Sequence, residues 1–148
     1  MAINKVAVIG AGVMGAGIAA HISNAGIPVV LLDIVPEGAE NRNVIAEGAV
    51  QKMHKAQPAP FMHKRNARLI STGNIEDHLA LLADCDWIIE AVIERLDIKQ
   101  NLYKKIDAVR QPGSIVSSNT STIPLSDLID GQSATFASDF LVTHFFNP

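Results

Sequence analysis

Apolar residues in this chain come in short bursts that stop at glycine, acid or a polar run, separated by longer stretches with helical spacing. The first burst, Lys5 to Gly10 ("KVAVIG"), is continuous rather than alternating, as expected for a strand buried on both faces of a parallel sheet. In "AGVMGAGIAAHISNAG" small and apolar residues continue at helical spacing as far as Gly26, a C-cap residue. Pro28 to Asp33 ("PVVLLD") reads as a second strand, with the proline at its start, where a missing N–H is tolerated. Glu37 to Lys55 is helix-compatible until "AQPAP" breaks it. A short helix in "FMHKRNARLI", a short strand at "ISTG" and a short helix in "IEDHLALLADC" follow. Asp86 to Val92 ("DWIIEAV") is another buried strand, and "DIKQNLYKKIDAVR" is an amphipathic helix with Ile98, Leu102 and Ile106 every four residues. After Pro112 and Gly113, "SIVSSNTS" begins a strand, "PLSDLI" makes a helical turn and "FLVTHFF" forms the last strand. Strand, helix and strand in repetition predict right-handed crossovers and a sheet covered on both sides, a doubly wound α/β domain.

Composition narrows what such a domain does. The 148 residues are 48% hydrophobic and 18% charged, the makeup of a single globular domain. A net charge of -3 leaves no basic footprint, which argues against nucleic acid as the main partner. Anionic ligands must then be held by local geometry. Cys85 is the only cysteine, so no intrachain disulfide forms; in "LLADCDWII" it reads as an inert buried thiol, and a reducing compartment fits. No run reaches the ~18 apolar residues of a membrane span, and no cleavage-type segment follows the N-terminal apolar run, so the expected location is cytoplasmic. His21, His54, His63 and His78 lack metal-ligand spacing, and no metal is expected.

One stretch changes this picture. "VAVIGAGVMGAG" contains Gly10-x-Gly12-x-x-Gly15 between a predicted strand and a predicted helix, and Asp33 closes the next strand 18 residues beyond Gly15. That combination is the dinucleotide-binding fingerprint of a Rossmann-type fold. Gly10 permits the tight turn, Gly12 admits a pyrophosphate to the backbone, and Gly15 lets the helix lie close to the sheet. The helix N-terminus supplies free N–H groups and partial positive charge. Asp33 suits the adenosine ribose hydroxyls and would repel the extra phosphate of NADP. No arginine follows it in "DIVPEG", so NAD is favoured, while the fingerprint alone leaves FAD open.

Three separated segments, "GAGVMGAGIA", "EAVIERLDIKQ" and "SNTSTIP", followed by "HFFNP", resemble the L-3-hydroxyacyl-CoA dehydrogenase family of fatty-acid β-oxidation. The resemblance runs across the whole chain, and the middle region looks like the longer bacterial multidomain members. It implies an oxidoreductase acting on L-3-hydroxyacyl-CoA with NAD as cofactor. It also implies that residues 1–148 are an N-terminal NAD-binding domain whose C-terminal helical partner domain, carrying most of the acyl-CoA surface and the homo-oligomer contacts, is absent here. By the same resemblance Met14 lies against the cofactor and Val92, Ile93 and Glu94 line the nicotinamide-ribose side, which Lys99 also reaches. Ser121 sits beside the nicotinamide and the substrate's 3-oxygen, Asn147 contacts cofactor, and His144 is the general base. The glutamate that orients the base comes shortly after "HFFNP" in that family.

Elementary chemistry is consistent with those roles. Oxidising a secondary alcohol needs a base for the hydroxyl proton, and histidine, with a pKa near ~6.5, suits it. Glu94, Ser121 and His144 all fall at or near predicted strand ends, where α/β sheets bind ligands. Other readings stand beside these. His144 fits a satisfied core group, Glu94 and Lys99 fit a helix-start acid and a solvated cation, and Ser121 fits an N-cap for "TIPLSDLI". Glu90, inside an apolar strand, is expected to be hydrogen-bonded within the fold. A non-catalytic nucleotide-binding module and a related NAD-dependent hydroxy-acid dehydrogenase are the alternative functions.

Overall fold

The computed structural model describes residues 2–146. Six strands form one sheet: β1 (Val6–Ile9), β2 (Val29–Asp33), β3 (Ile70–Asn74), β4 (Trp87–Glu90), β5 (Ile115–Ser118) and β6 (Phe140–Val142). All neighbours are parallel, in the order β3-β2-β1-β4-β5-β6. The order reverses between β1 and β4, and this switch point opens a crevice at the carboxyl ends of the strands.

Helices α1 (Val13–Asn24), α2 (Val44–Lys55), α3 (Leu96–Val109), α4 (Leu125–Ile129) and α5 (Ala134–Ser138) cover the two faces. The continuous apolar runs are explained by the pleat. Val6 and Val8 point to one side, into a core shared with Leu31, Ile89 and the α1 residues Ile18 and Ala19. Ala7 and Ile9 point to the other, against Leu32, Ile88, Leu102, Tyr103 and Ile106. Gly26 follows the end of α1 with φ +81, the left-handed conformation its C-cap role requires.

Several elements are shorter than the pattern suggests. The helix expected from Glu37 starts only at Val44, because Asn41 and Asn43 turn the chain, the Asn43 N–H donating to Asn41 Oδ1. "KRNARL" and "LALLAD" are 3₁₀ turns. The last strand ends at Val142 rather than running through "THFF". Past it the Phe145 N–H donates to the Asn119 side chain at 2.8 Å, so a side-chain acceptor replaces the strand ladder. α5 had no counterpart in the pattern; it is capped by Ser133, whose hydroxyl accepts from the Phe136 N–H. On α3 the buried face is Lys99, Leu102, Tyr103 and Ile106, so a lysine occupies a core position while Ile98 is only half-buried.

Candidate functional site

β1 delivers the chain to the glycine loop, where two of the three glycines are demanded by the fold itself. Gly10 has φ +104, and a Cβ there would stand 2.4 Å from the Ala91 carbonyl oxygen of β4's exit. A Cβ on Gly15 would stand 1.7 Å from the Gly10 carbonyl oxygen, so only glycine lets α1 lie against the loop. Gly12 is different. A Cβ there meets nothing within 4 Å, so the protein's own packing places no demand on it. Gly12 is also the N-cap of α1, with no side-chain cap for the first-turn N–H groups. An uncapped helix start beneath open space fits an anionic ligand.

Asp33 closes β2 beside this loop. One carboxylate oxygen accepts from the Ala11 N–H and the other from the Ile34 N–H at 2.6 Å. A carboxylate has about four acceptor sites, so each oxygen keeps capacity for a ribose hydroxyl. Arg42, the first arginine after Asp33, is held by Asp77 at 2.7 Å and Glu76 at 2.9 Å. Those bonds raise its pKa further and turn this guanidinium toward Asp77 and Glu76. Met14 is half-buried on α1 and lines, with Val13, Gly17, His21 and Phe146, a cleft of about 470 Å³. A second cleft of about 700 Å³ runs from Gly12 and Val13 across to Gly48, Lys52 and Met53 of α2.

At the exit of β4, Val92 is half-buried and Ile93 is 60% exposed, facing the crevice rim. Glu94 follows and turns back to the segment after β5. Its Oε1 accepts from the Thr120 hydroxyl, from the Thr122 hydroxyl at 3.3 Å and from the Ser121 and Thr122 N–H groups at 3.3 and 3.4 Å. Its Oε2 lies 3.4 Å from Lys99 Nζ. Partial burial pushes the Glu94 carboxyl up, but the Thr120 hydroxyl, the Lys99 charge and the Thr122 amide outweigh it and hold the pKa at about 2. Lys99 is not a solvated cation. Its ammonium is 1% exposed and sits between Glu94 and Glu90, 2.7 Å from Glu90 Oε1.

Ser121 does not cap α4; that position is Pro124, and the Ile123 N–H goes to the Thr120 hydroxyl instead. The freed Ser121 hydroxyl lies 3.2 Å from His144 Nε2. His144 is exposed rather than a core residue, and its ring packs on Phe146 at 4.7 Å between centroids. Residues either side of it are pinned: the Thr143 N–H donates to the Ser118 carbonyl at 3.0 Å and Phe145 is held by Asn119. Among the described residues no carboxylate is hydrogen-bonded to His144. Asn147 lies outside the described residues. Residues singled out from the sequence thus fall in two groups at the carboxyl end of the sheet: Gly10, Gly12, Met14, Gly15 and Asp33 around the loop, and Glu94, Ser121 and His144 in the segments that follow β4, β5 and β6, with Lys99 on α3 beneath Glu94. Asn119 and Thr120, which no spacing argument had singled out, hold the second group. Their signal was the polar run "SSNTS" at a strand end.

Fold and loop together define a dinucleotide-binding domain of the Rossmann type. The family profile described as "3-hydroxyacyl-CoA dehydrogenase, NAD binding domain" matches residues 5–148, and the chain belongs to that family, with NAD as its cofactor. It is 52% identical over 148 residues to a probable 3-hydroxyacyl-CoA dehydrogenase of Deinococcus radiodurans, covering 100% of this chain and 43% of that protein. A probable 3-hydroxyacyl-CoA dehydrogenase of Bacillus subtilis is 45% identical over 160 residues, covering 99% of this chain and 20% of its own length. Among solved structures, a 3-hydroxybutyryl-CoA dehydrogenase from Escherichia coli superposes with TM-score 0.81 at 28% identity, covering 100% of this chain and 30% of that one. The chain therefore spans less than half the length of these relatives. No helix among the described residues is long and apolar enough to cross a membrane.

Proposed function

We propose that residues 1–148 are the cofactor-binding domain of a longer cytoplasmic enzyme that oxidises L-3-hydroxyacyl-CoA to 3-ketoacyl-CoA. The observation that carries this reading is the 3.2 Å contact between Ser121 Oγ and His144 Nε2 at the same carboxyl end of the sheet as the glycine loop. Gly12 and the first turn of α1 hold the pyrophosphate, Asp33 the adenosine ribose, and Met14, Val92, Ile93, Glu94, Lys99 and Asn147 belong to the cofactor's surroundings. When bound, NAD supplies the acceptor for the hydride that leaves the substrate's C3. His144 Nε2 takes the 3-hydroxyl proton as that hydride departs, which balances the conversion of alcohol to ketone. Ser121, within hydrogen-bond reach of Nε2, contacts the same substrate oxygen and fixes its approach. A general base of this kind needs an acid to set its ring tautomer, and we assign that acid, most of the acyl-CoA surface and any homo-oligomer contact to the remainder of the longer protein.

The test is steady-state turnover of the full-length protein with NADH and acetoacetyl-CoA, beside the matching free 3-keto acid. We expect turnover of the thioester and a 10²–10⁴-fold fall in kcat for His144→Ala, the usual range for losing a general acid–base group. Preference for the free acid would reassign the substrate. Undiminished activity in His144→Ala would remove the proposed base and leave a nucleotide-binding module.

A further inference from the structure

Glu90 ends β4 with no solvent exposure, the one fully buried acid among the described residues. Each of its oxygens has two donors. Oε1 accepts from the Val92 N–H at 2.8 Å and Lys99 Nζ at 2.7 Å, and Oε2 from the Tyr103 hydroxyl at 2.7 Å and the Ser118 hydroxyl at 2.6 Å. Burial, then the charge of Glu90, push the Tyr103 pKa far above its usual range, so the phenol remains a donor. Stability alone gives little reason for this arrangement, because a buried ion pair is commonly matched or exceeded by apolar residues of similar volume. A carboxylate satisfied on all sides does, however, fix the relative positions of the segments that donate to it.

Two paths lead from Glu90 to the Ser121–His144 pair. Through its side chain, Lys99 bridges to Glu94 at 3.4 Å, and Glu94 gathers the Thr120 hydroxyl and the amides of Ser121 and Thr122. Through its main chain, the Glu90 carbonyl accepts from the Asn119 N–H at 2.8 Å, and the Asn119 side chain accepts from the N–H of Phe145, next to His144. We propose that Glu90 is a positioning residue for the Ser121–His144 pair. Its carboxylate holds Lys99 where that ammonium anchors Glu94, and Glu94 holds the turn that aims Ser121 at His144. This rests on the reading of Ser121 and His144 as the reacting pair. The main-chain path survives any side-chain change at residue 90, so the side-chain path is the one substitutions address.

Glu90→Gln keeps the size of the side chain but replaces one acceptor oxygen with an amide N–H₂ facing donors and leaves Glu94 as the only charged partner of Lys99. In the full-length enzyme we expect kcat to fall about 10²-fold with KM for the thioester within threefold, because a shift on the order of 1 Å in a reacting group costs that much. Should the single variant not fold, Glu90→Gln/Lys99→Met removes both charges of the pair at similar volume and carries the same expectation. Val30→Ala, in the core of β2 and away from the network, controls for lost stability and retains kcat. A crystal structure of the folded variant is the second readout, with Ser121 Oγ and His144 Nε2 expected beyond 3.5 Å, the hydrogen-bond limit. A folded variant that keeps kcat within threefold and the pair in contact overturns the proposal, as does a Val30→Ala loss equal to that of Glu90→Gln. A wild-type enzyme inactive on the thioester overturns the catalytic reading instead, and the Ser121–His144 separation then still decides whether Glu90 positions the pair.

Discussion

Gly12 and Gly15 stand three residues apart in one loop, and adding the same methyl group to each has opposite expected consequences. At Gly15 the new Cβ would lie 1.7 Å from the Gly10 carbonyl oxygen, and both atoms are tied to backbone. Relief requires moving α1 off the sheet, which disturbs the contacts of Ile18 and Ala19, buried to 2% and 0% exposure. Overpacking costs about 1–3 kcal/mol where side chains can yield, and here none can, so at least about 3 kcal/mol is expected for Gly15→Ala. That is a large part of the ~5–15 kcal/mol that holds a domain together. At Gly12 the Cβ meets nothing within 4 Å, and φ -67 is open to alanine. Alanine is a poorer N-cap than glycine, a cost of up to ~1 kcal/mol, while reduced freedom in the unfolded chain returns about 0.4–1 kcal/mol. Net stability should change by less than about 1 kcal/mol. The methyl instead fills the space above the uncapped first-turn N–H groups. Losing about two charge-assisted hydrogen bonds at ~1.5–3 kcal/mol each predicts at least ~10²-fold weaker NAD binding. Urea unfolding and calorimetric titration with NAD on the same two variants separate the effects. NAD binding within threefold of wild type in Gly12→Ala would refute the phosphate-site argument, as would a stability loss there equal to that of Gly15→Ala.

Three further outcomes follow from individual side chains. Asp33→Asn should weaken NAD about tenfold and narrow its advantage over NADP, since the carboxylate that meets the ribose hydroxyls also repels a phosphate; calorimetric titration with both nucleotides checks this, and an unchanged ratio would count against the role of Asp33. The Glu94 carboxyl, held at about 2 in the folded chain against an ordinary 4.5, contributes stability that is fully present above about pH 4.5 and is lost as pH falls through about 2. Glu94→Gln should therefore flatten the stability–pH curve in that window, measured by denaturant midpoints between pH 5 and 2. Ile89→Ala, at a fully buried position of β4, should cost about 2–5 kcal/mol with an unchanged urea m-value; a loss below 1 kcal/mol would mean that the site collapses around the missing atoms.

The sheet was legible in the sequence because each core strand is a short apolar run between polar or glycine stops, and a run buried on both faces needs no alternation. The loop was legible because Gly10, Gly12, Gly15 and Asp33 answer to local geometry over a few dozen residues. Helix edges were less so. The Asn41–Asn43 turn delays α2, and the Ser133 cap starts α5 in a stretch with too few apolar residues to show a period. The run "FLVTHFF" looks uniformly strand-like, yet it leaves the ladder after Val142 because Asn119, on a different strand end, captures the next available N–H. Nothing within the run records that acceptor.

The second half of the site shows why residue type and spacing stop short of chemistry. Lys99 reads as a surface cation by residue type until Glu90 and Glu94 are placed on either side of it, and Ser121 reads as an N-cap until Pro124 takes that position and His144 is placed against the serine hydroxyl. The partners of Lys99 lie 5 and 9 residues away and those of Ser121 lie 27 and 23 residues away, and the β4–β5 pairing that sets Glu90 opposite Ser118 helps bring them together. Shifting β5 by one residue would turn Ser118 to the opposite face of the sheet, leave a Glu90 oxygen short of a donor, and move Asn119 away from the Glu90 carbonyl. The polar ends of these strands therefore do two jobs at once: they specify one register among apolar strands that would otherwise pair in several, and they place Ser121 against His144. A site built in this way is read from the contacts between strands, and its sequence trace is only the presence of polar residues where a buried strand should have none.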